Sequence, residues 1–160
     1  MPPPREGGYG VHMRDILGNS VLMCSLGCWA VAQALKVLWG LVKERRLDLR
    51  LLVSAGGMPS SHSAFVTALA TAVAIREGLG STAFAICAAL AAVVMYDAAG
   101  VRRATDVQAR ILNQILDELF RGQPLSEEHL RKLIGHTPFE VVVGATLGAA
   151  LAWLGMRILA

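Results

Sequence analysis

Four apolar runs leave this chain few ways to fold. They are roughly Leu17–Val42, Ser60–Ile75, Ser81–Ala99 and Phe139–Leu159, and most of the charged residues are gathered between them. A helix crossing a bilayer core takes about 20 apolar residues, with a range of about 17–25. The first, third and fourth runs meet that length. The second is short and would tilt or thin the bilayer locally. In a chain of 160 residues that is 54% hydrophobic and only 17% charged, four such runs leave too little polar surface to solvate a small soluble domain. The expectation is an all-α integral membrane bundle of about four transmembrane helices. Residues 1–16 read as a polar, flexible N-terminal segment, and residues 17–160 as a single membrane-embedded domain.

A further segment, Thr105–Arg121, carries Ile111, Leu112, Ile115, Leu116 and Leu119 at helical spacing, with Asp106, Arg110, Asp117 and Arg121 around them. It is too charged to span, so the pattern predicts an amphipathic helix lying along the interface, stopped at Gly122.

Four spans put both termini on one side of the membrane. The loops on the other side hold Lys43 to Arg50 and Arg102 to Lys132, which include most of the basic residues. The positive-inside rule makes that face cytoplasmic. Arg45 and Arg46 mark this topology or hold anionic lipid. The net charge of +3 is modest and no aromatic-basic interleaving is present, which argues against nucleic acid as a partner. Cys24, Cys28 and Cys87 all fall within apolar runs and read as packing residues rather than metal ligands or a disulfide. So much lipid-facing helix is compatible with a homo-oligomer.

Two junctions between polar loop and apolar run stand out. One is Gly57-Met58-Pro59-Ser60-Ser61-His62-Ser63 and the other is His136-Thr137-Pro138-Phe139-Glu140. With Lys36 and Lys43 near the end of span one and Arg102 and Arg103 at the end of span three, they fall on the same membrane face. A helix starting after a glycine-rich loop aims free backbone N–H groups at one point, a setting suited to phosphate. Phosphoryl transfer to water needs neutralised phosphate oxygens, a nucleophile and a proton for the leaving oxygen. Gly56, Gly57, Ser60 and Ser61 offer hydrogen-bond donors. Lys36, Lys43, Arg102 and Arg103 offer positive charge. His62 and His136 can divide the nucleophilic and acid roles, with Glu140 orienting one of them. Glu140 also completes a capping box, Thr137-x-x-Glu140, which accounts for it without catalysis. Asp97 reads as the structural partner that aims Arg102 or Arg103. Gly144-x-x-x-Gly148 permits close helix packing.

The order of these motifs resembles the type-2 phosphatidic acid phosphatases, relatives of the vanadium haloperoxidases. It resembles most the small divergent branch found in bacteria and plastids. Pro59-Ser60-Ser61-His62 stands where the superfamily has Pro-Ser-Gly-His. His136 to Gly144 resembles its His-x-x-x-Asp-x-x-x-Gly segment, with Glu140 at the acidic position. Lys36 and Lys43 resemble a Lys-x6-Arg element. Tyr96 to Arg103 fits the divergent branch, and the resemblance runs from about Gln33 to Gly144. It implies that His136 attacks phosphorus to form a phosphohistidine, that Glu140 holds its imidazole, and that His62 protonates the leaving alcohol. Lys36, Arg102 and Arg103 would bind the phosphate oxygens, with no metal and no cofactor. The expected function is a membrane phosphatase for a lipid phosphomonoester such as phosphatidylglycerophosphate, phosphatidic acid or a polyprenyl phosphate, in a bacterial cytoplasmic or a plastid membrane. The alternatives are a non-catalytic protein that binds or translocates phospholipid, and a structural membrane protein.

Overall fold

The computed structural model describes residues 13–45, 57–119 and 136–159, with backbone alone for 44, 101–107, 109–110, 113–119 and 159. All the regular structure among them is helical: α1 (Met13–Leu17), α2 (Ser20–Glu44), α3 (Ser61–Glu77), α4 (Thr82–Leu119) and α5 (Pro138–Leu159).

Each long helix begins where the sequence supplies a side-chain acceptor for its free N–H groups. The Asn19 side chain accepts from the Leu22 N–H at 3.1 Å, opening α2. Ser60 caps α3, and Ser81 accepts from the Phe84 N–H at 3.1 Å at the start of α4. At α5 the capping box is reciprocal. The Thr137 N–H donates to Glu140 Oε2 at 2.8 Å, and the Glu140 N–H donates to Thr137 Oγ1 at 3.1 Å. Pro138 takes the first helical position, where its missing N–H is not needed.

Among the described residues three helices are long and apolar enough to cross a membrane: Ser20–Lys43, Thr82–Gly100 and Pro138–Ile158. The second apolar run forms α3, of 17 residues. At about 1.5 Å per residue it is about 25 Å long, short of a core of about 30 Å. Yet α3 is the centre of the bundle, packed against α2, α4 and α5 and most extensively on α5. It buries Ala64, Val66, Ala68, Ala72 and Val73 together with Ser61 and Ser63.

The α3–α5 seam is close because α5 turns glycines toward α3. A Cβ at Gly144 would strike the Ser60 backbone, and one at Gly148 would strike the Ala64 carbonyl and the Thr67 hydroxyl. The Thr67 hydroxyl lies 3.0 Å from the Ala145 carbonyl oxygen across that seam and 2.7 Å from that of Ser63 in its own helix. Lower down, Cys24 and Cys28 of α2 pack with Ala68, Ala72, Ala152 and Met156, in line with a structural role for these thiols. At the far end of α3, Arg76 donates to the Ser20 hydroxyl.

The third run ends differently from the sequence expectation. The segment from Thr105 is not a separate interfacial helix; it continues α4 without a break through Arg102 and Arg103 to Leu119. Nothing between Ala98 and Thr105 stops a helix. There is no proline, and one glycine among alanines costs about 1 kcal/mol. The expected stop at Gly122 lies outside the described residues.

Candidate functional site

The two histidine junctions come together where α3 and α5 begin. Backbone does the joining: the Ser60 N–H donates to the Glu140 carbonyl at 3.2 Å. The bond fixes the cap of one helix to the first turn of the other, with Gly144 allowing the approach one turn further on. His62, in the first turn of α3, and His136, just before α5, then meet edge to face with ring centroids 6.1 Å apart.

Their surroundings differ. His62 is exposed. His136 is 3% exposed, and among the described residues neither of its ring nitrogens has a hydrogen-bond partner. Its Nδ1 faces the Glu140 carboxylate, 3.5 Å from Oε2. Burial holds the imidazole below its ordinary titration range. The Lys36 and His62 charges push the same way, and Glu140 opposes them. His136 is therefore neutral near pH 7, with a ring nitrogen lone pair available.

Lys36 reaches the site from α2. It is 1% exposed, and its charge is attracted by the Glu140 carboxylate. Gly57 makes room for it. The residue sits at φ 100°, a left-handed conformation that suits glycine, and a Cβ there would lie 3.0 Å from Lys36 Cε. The loop before α3 thus rests on the lysine stem.

Ser60 and Ser61 are buried at this junction, and the Ser60 oxygen is already engaged. It accepts from the Ser63 N–H at 3.4 Å and the Ser63 hydroxyl at 3.0 Å. Lys43 lies about two turns past Lys36 and is exposed. Asp97 is exposed on α4. Arg102 and Arg103 directly follow the apolar Thr82–Gly100 span, as expected, although the helix itself runs on past them; their side chains lie outside the described residues, as does Gly56. Two features escaped the sequence reading. Ser63 completes the Ser60 cap, a role its three-residue spacing could have signalled. The Ser60–Glu140 backbone bond has no side-chain signature at all.

Among the described residues no group of three His, Cys, Asp or Glu side chains could hold a metal ion. A cavity of about 410 Å³ opens at the other end of α3, beside Asp15, Asn19, Arg76 and Glu77, and none of the candidate residues lines it. The described geometry is thus a buried neutral imidazole, an exposed one beside it, a carboxylate behind the first and a buried ammonium close by. Such a set can hold an anion, supply a nucleophile and move a proton.

No solved structure matches the chain. It is 39% identical over 148 residues to the uncharacterized membrane protein YuiD of Bacillus subtilis (strain 168), covering 86% of this chain and 94% of the relative. The model of the divergent PAP2 family matches residues 17–151, a stretch that holds α2, α3, α4, both histidine junctions and the first half of α5. With the two histidines, Glu140 and Lys36 gathered at the helix mouths, this membrane protein belongs to the divergent PAP2 family.

Proposed function

We propose that the protein is a membrane phosphatase acting on a phosphomonoester with an apolar tail, through a phosphohistidine at His136. The observation that carries this reading is the meeting of His62 and His136 at 6.1 Å, with Glu140 at Nδ1 of the buried ring. The His136 Nε2 lone pair forms a bond to phosphorus as the bond from phosphorus to the alcohol oxygen breaks. His62, on the exposed side, gives that oxygen its proton. Water then attacks phosphorus, losing a proton to His62, and the N–P bond breaks to release inorganic phosphate. Glu140 faces the Nδ1 side and stabilises the positive charge the ring acquires. Lys36 offsets charge on the phosphate oxygens, and Arg102 and Arg103 are proposed to share that task.

A helix-mouth site can meet a headgroup at the interface while the tail stays in the bilayer. This fits phosphatidic acid, phosphatidylglycerophosphate or a polyprenyl phosphate. The density of Lys and Arg beside α2 and α4 favours the cytoplasmic face of a bacterial or plastid membrane. A second reading, binding or translocating phospholipid without turnover, is favoured by the 3.5 Å separation of Nδ1 from Glu140. The deciding experiment measures inorganic phosphate released from those lipids by the purified protein, with His62→Ala and His136→Ala as controls. Release that both substitutions abolish is expected. No release from any lipid, by a preparation that still binds phosphate, would move the assignment to the second reading.

A further inference from the structure

The other end of α3 holds a second polar site, on the membrane face opposite the histidines. There the C-terminus of α3 lies against the N-terminus of α2, and the cavity of about 410 Å³ opens between them. That is room for a small headgroup. Val21 and Val73 form its apolar wall, and Asp15, Asn19, Arg76 and Glu77 its polar one. Hydrogen bonds fix the frame. The Gly18 N–H closes α1 on the Arg14 carbonyl at 2.8 Å, the Asn19 side chain caps α2, and the Gly78 N–H closes α3 on the Ala74 carbonyl at 3.0 Å. Arg76 crosses to α2 and donates through Nη1 to the Ser20 hydroxyl. Outside, Met13, Leu17 and Leu79 are exposed at the level where the α2 span begins and α3 ends, so the rim of the cavity faces lipid.

We infer that this cavity binds a zwitterionic headgroup bearing a primary ammonium, of the phosphoethanolamine class. The two helix ends carry opposite partial charges: the first N–H groups of α2 favour an anion, and the last carbonyls of α3 favour a cation. The side chains repeat that division. The Arg76 guanidinium has donors beyond the one given to Ser20, and these can hold a phosphate oxygen. Asp15 and Glu77 bring carboxylates for the ammonium. Two carboxylates beside one guanidinium repel a ligand that is only an anion. A metal ion is not the occupant either, since no group of three His, Cys, Asp or Glu side chains among the described residues could hold one. A quaternary ammonium cannot donate a hydrogen bond and is recognised by aromatic rings, and none of the described residues lining the cavity is aromatic. A primary ammonium is the group that these carboxylates can hydrogen-bond. The site is separate from the histidines and does not depend on turnover there.

The test is lipid binding to the full chain in detergent, read by native mass spectrometry. The probes are phosphatidylethanolamine, phosphatidylcholine and phosphatidylglycerol with the same acyl chains. Phosphatidylethanolamine should bind about tenfold more tightly than either of the others, the size expected from one charge-assisted hydrogen bond. Glu77→Gln keeps the shape and removes the charge, so it should erase most of that preference. Arg76→Gln should weaken phosphatidylethanolamine by about tenfold as well. Soluble glycerophosphoethanolamine, the same headgroup without tails, should displace the lipid at millimolar concentration. Equal binding of all three lipids would mean an ordinary lipid-facing surface and overturns the inference. Phosphatidylglycerol binding best, and losing that advantage in Arg76→Gln, would make the cavity an anion site and overturns it too. So does a preference for phosphatidylethanolamine that survives Glu77→Gln or that the soluble headgroup does not displace, since it then lies elsewhere on the chain. The comparison of the three lipids on the wild type decides the matter even if a variant does not fold.

Discussion

The α3–α5 pair and the helix α4 show two ways of being a membrane helix. In the first, backbone meets backbone: Gly144 and Gly148 admit the Ser60 and Ala64 carbonyls, and the Ser60 N–H bonds to Glu140. Both histidines hang on that seam. Only 6% of the α4 span is buried by its own chain, against 28% for α5 and 33% for α2. Its outer face shows Ile86, Leu90, Val93 and Tyr96. At 38 residues and about 57 Å it outruns the bilayer, whereas α3 falls short of it. In this bundle, length and hydropathy follow contact with lipid, and chemistry follows contact between helices.

The contrast can be broken most directly at its glycines. Gly148→Val places branched carbons against the Ala64 carbonyl and should destabilise by about 3 kcal/mol or more, the upper range for overpacking. Thermal unfolding in detergent reads this, and an unchanged midpoint would show the seam to be looser than described. Next in size, Glu140→Gln should lower phosphate release by about 10²-fold, worth about 2.7 kcal/mol in the barrier. The loss of thermal stability should be small, since glutamine still caps α5. If stability falls and turnover survives, Glu140 is a cap and nothing more.

A smaller effect comes from the buried imidazole. The folded protein holds His136 below its ordinary value of about 6.5, so between the two values the unfolded chain binds more protons. This contribution to stability is present above about pH 6.5 and is lost as pH falls through the folded value. The wild type should lose stability with acid over that window, and His136→Phe should flatten the profile. Smallest is Gly100→Ala on α4. Among the described residues no atom outside the helix's own backbone lies within 4 Å of the added methyl, and helix propensity favours alanine, so stability should rise by about 0.5–1 kcal/mol. A loss there would mean that α4 is tightly packed after all.

The helices were legible in the sequence because hydropathy is written residue by residue. Ser60, Ser81 and Thr137 marked their starts, and Gly144-x-x-x-Gly148 marked the close seam. Arg102 and Arg103 marked the end of the apolar span, which closes at Gly100, while the helix itself runs on. One reading went astray on α4. Amphipathicity from Thr105 suggested a new element, but periodicity does not say where a helix began. At the site, the approach of His62 to His136 was legible from topology, because both open helices on one face. The division between a buried and an exposed imidazole was not. It depends on a backbone bond from Ser60 to Glu140 and on the Lys36 stem against Gly57, contacts that residue identity does not encode.

The short α3 has a consequence for how the protein is made. Seventeen residues that include Ser61, Ser63 and Thr67 form a poor candidate for entering the bilayer by themselves. The Gly78–Ser81 turn ties α3 to the apolar Thr82–Gly100 span of α4, so the two are expected to insert as a hairpin. The polar mouth of α3 stays unsheltered until α5, made after it, docks on it. A chain halted before Pro138 would carry His136 but lack the helix that seats it beside His62, so any phosphate chemistry waits on the synthesis of α5.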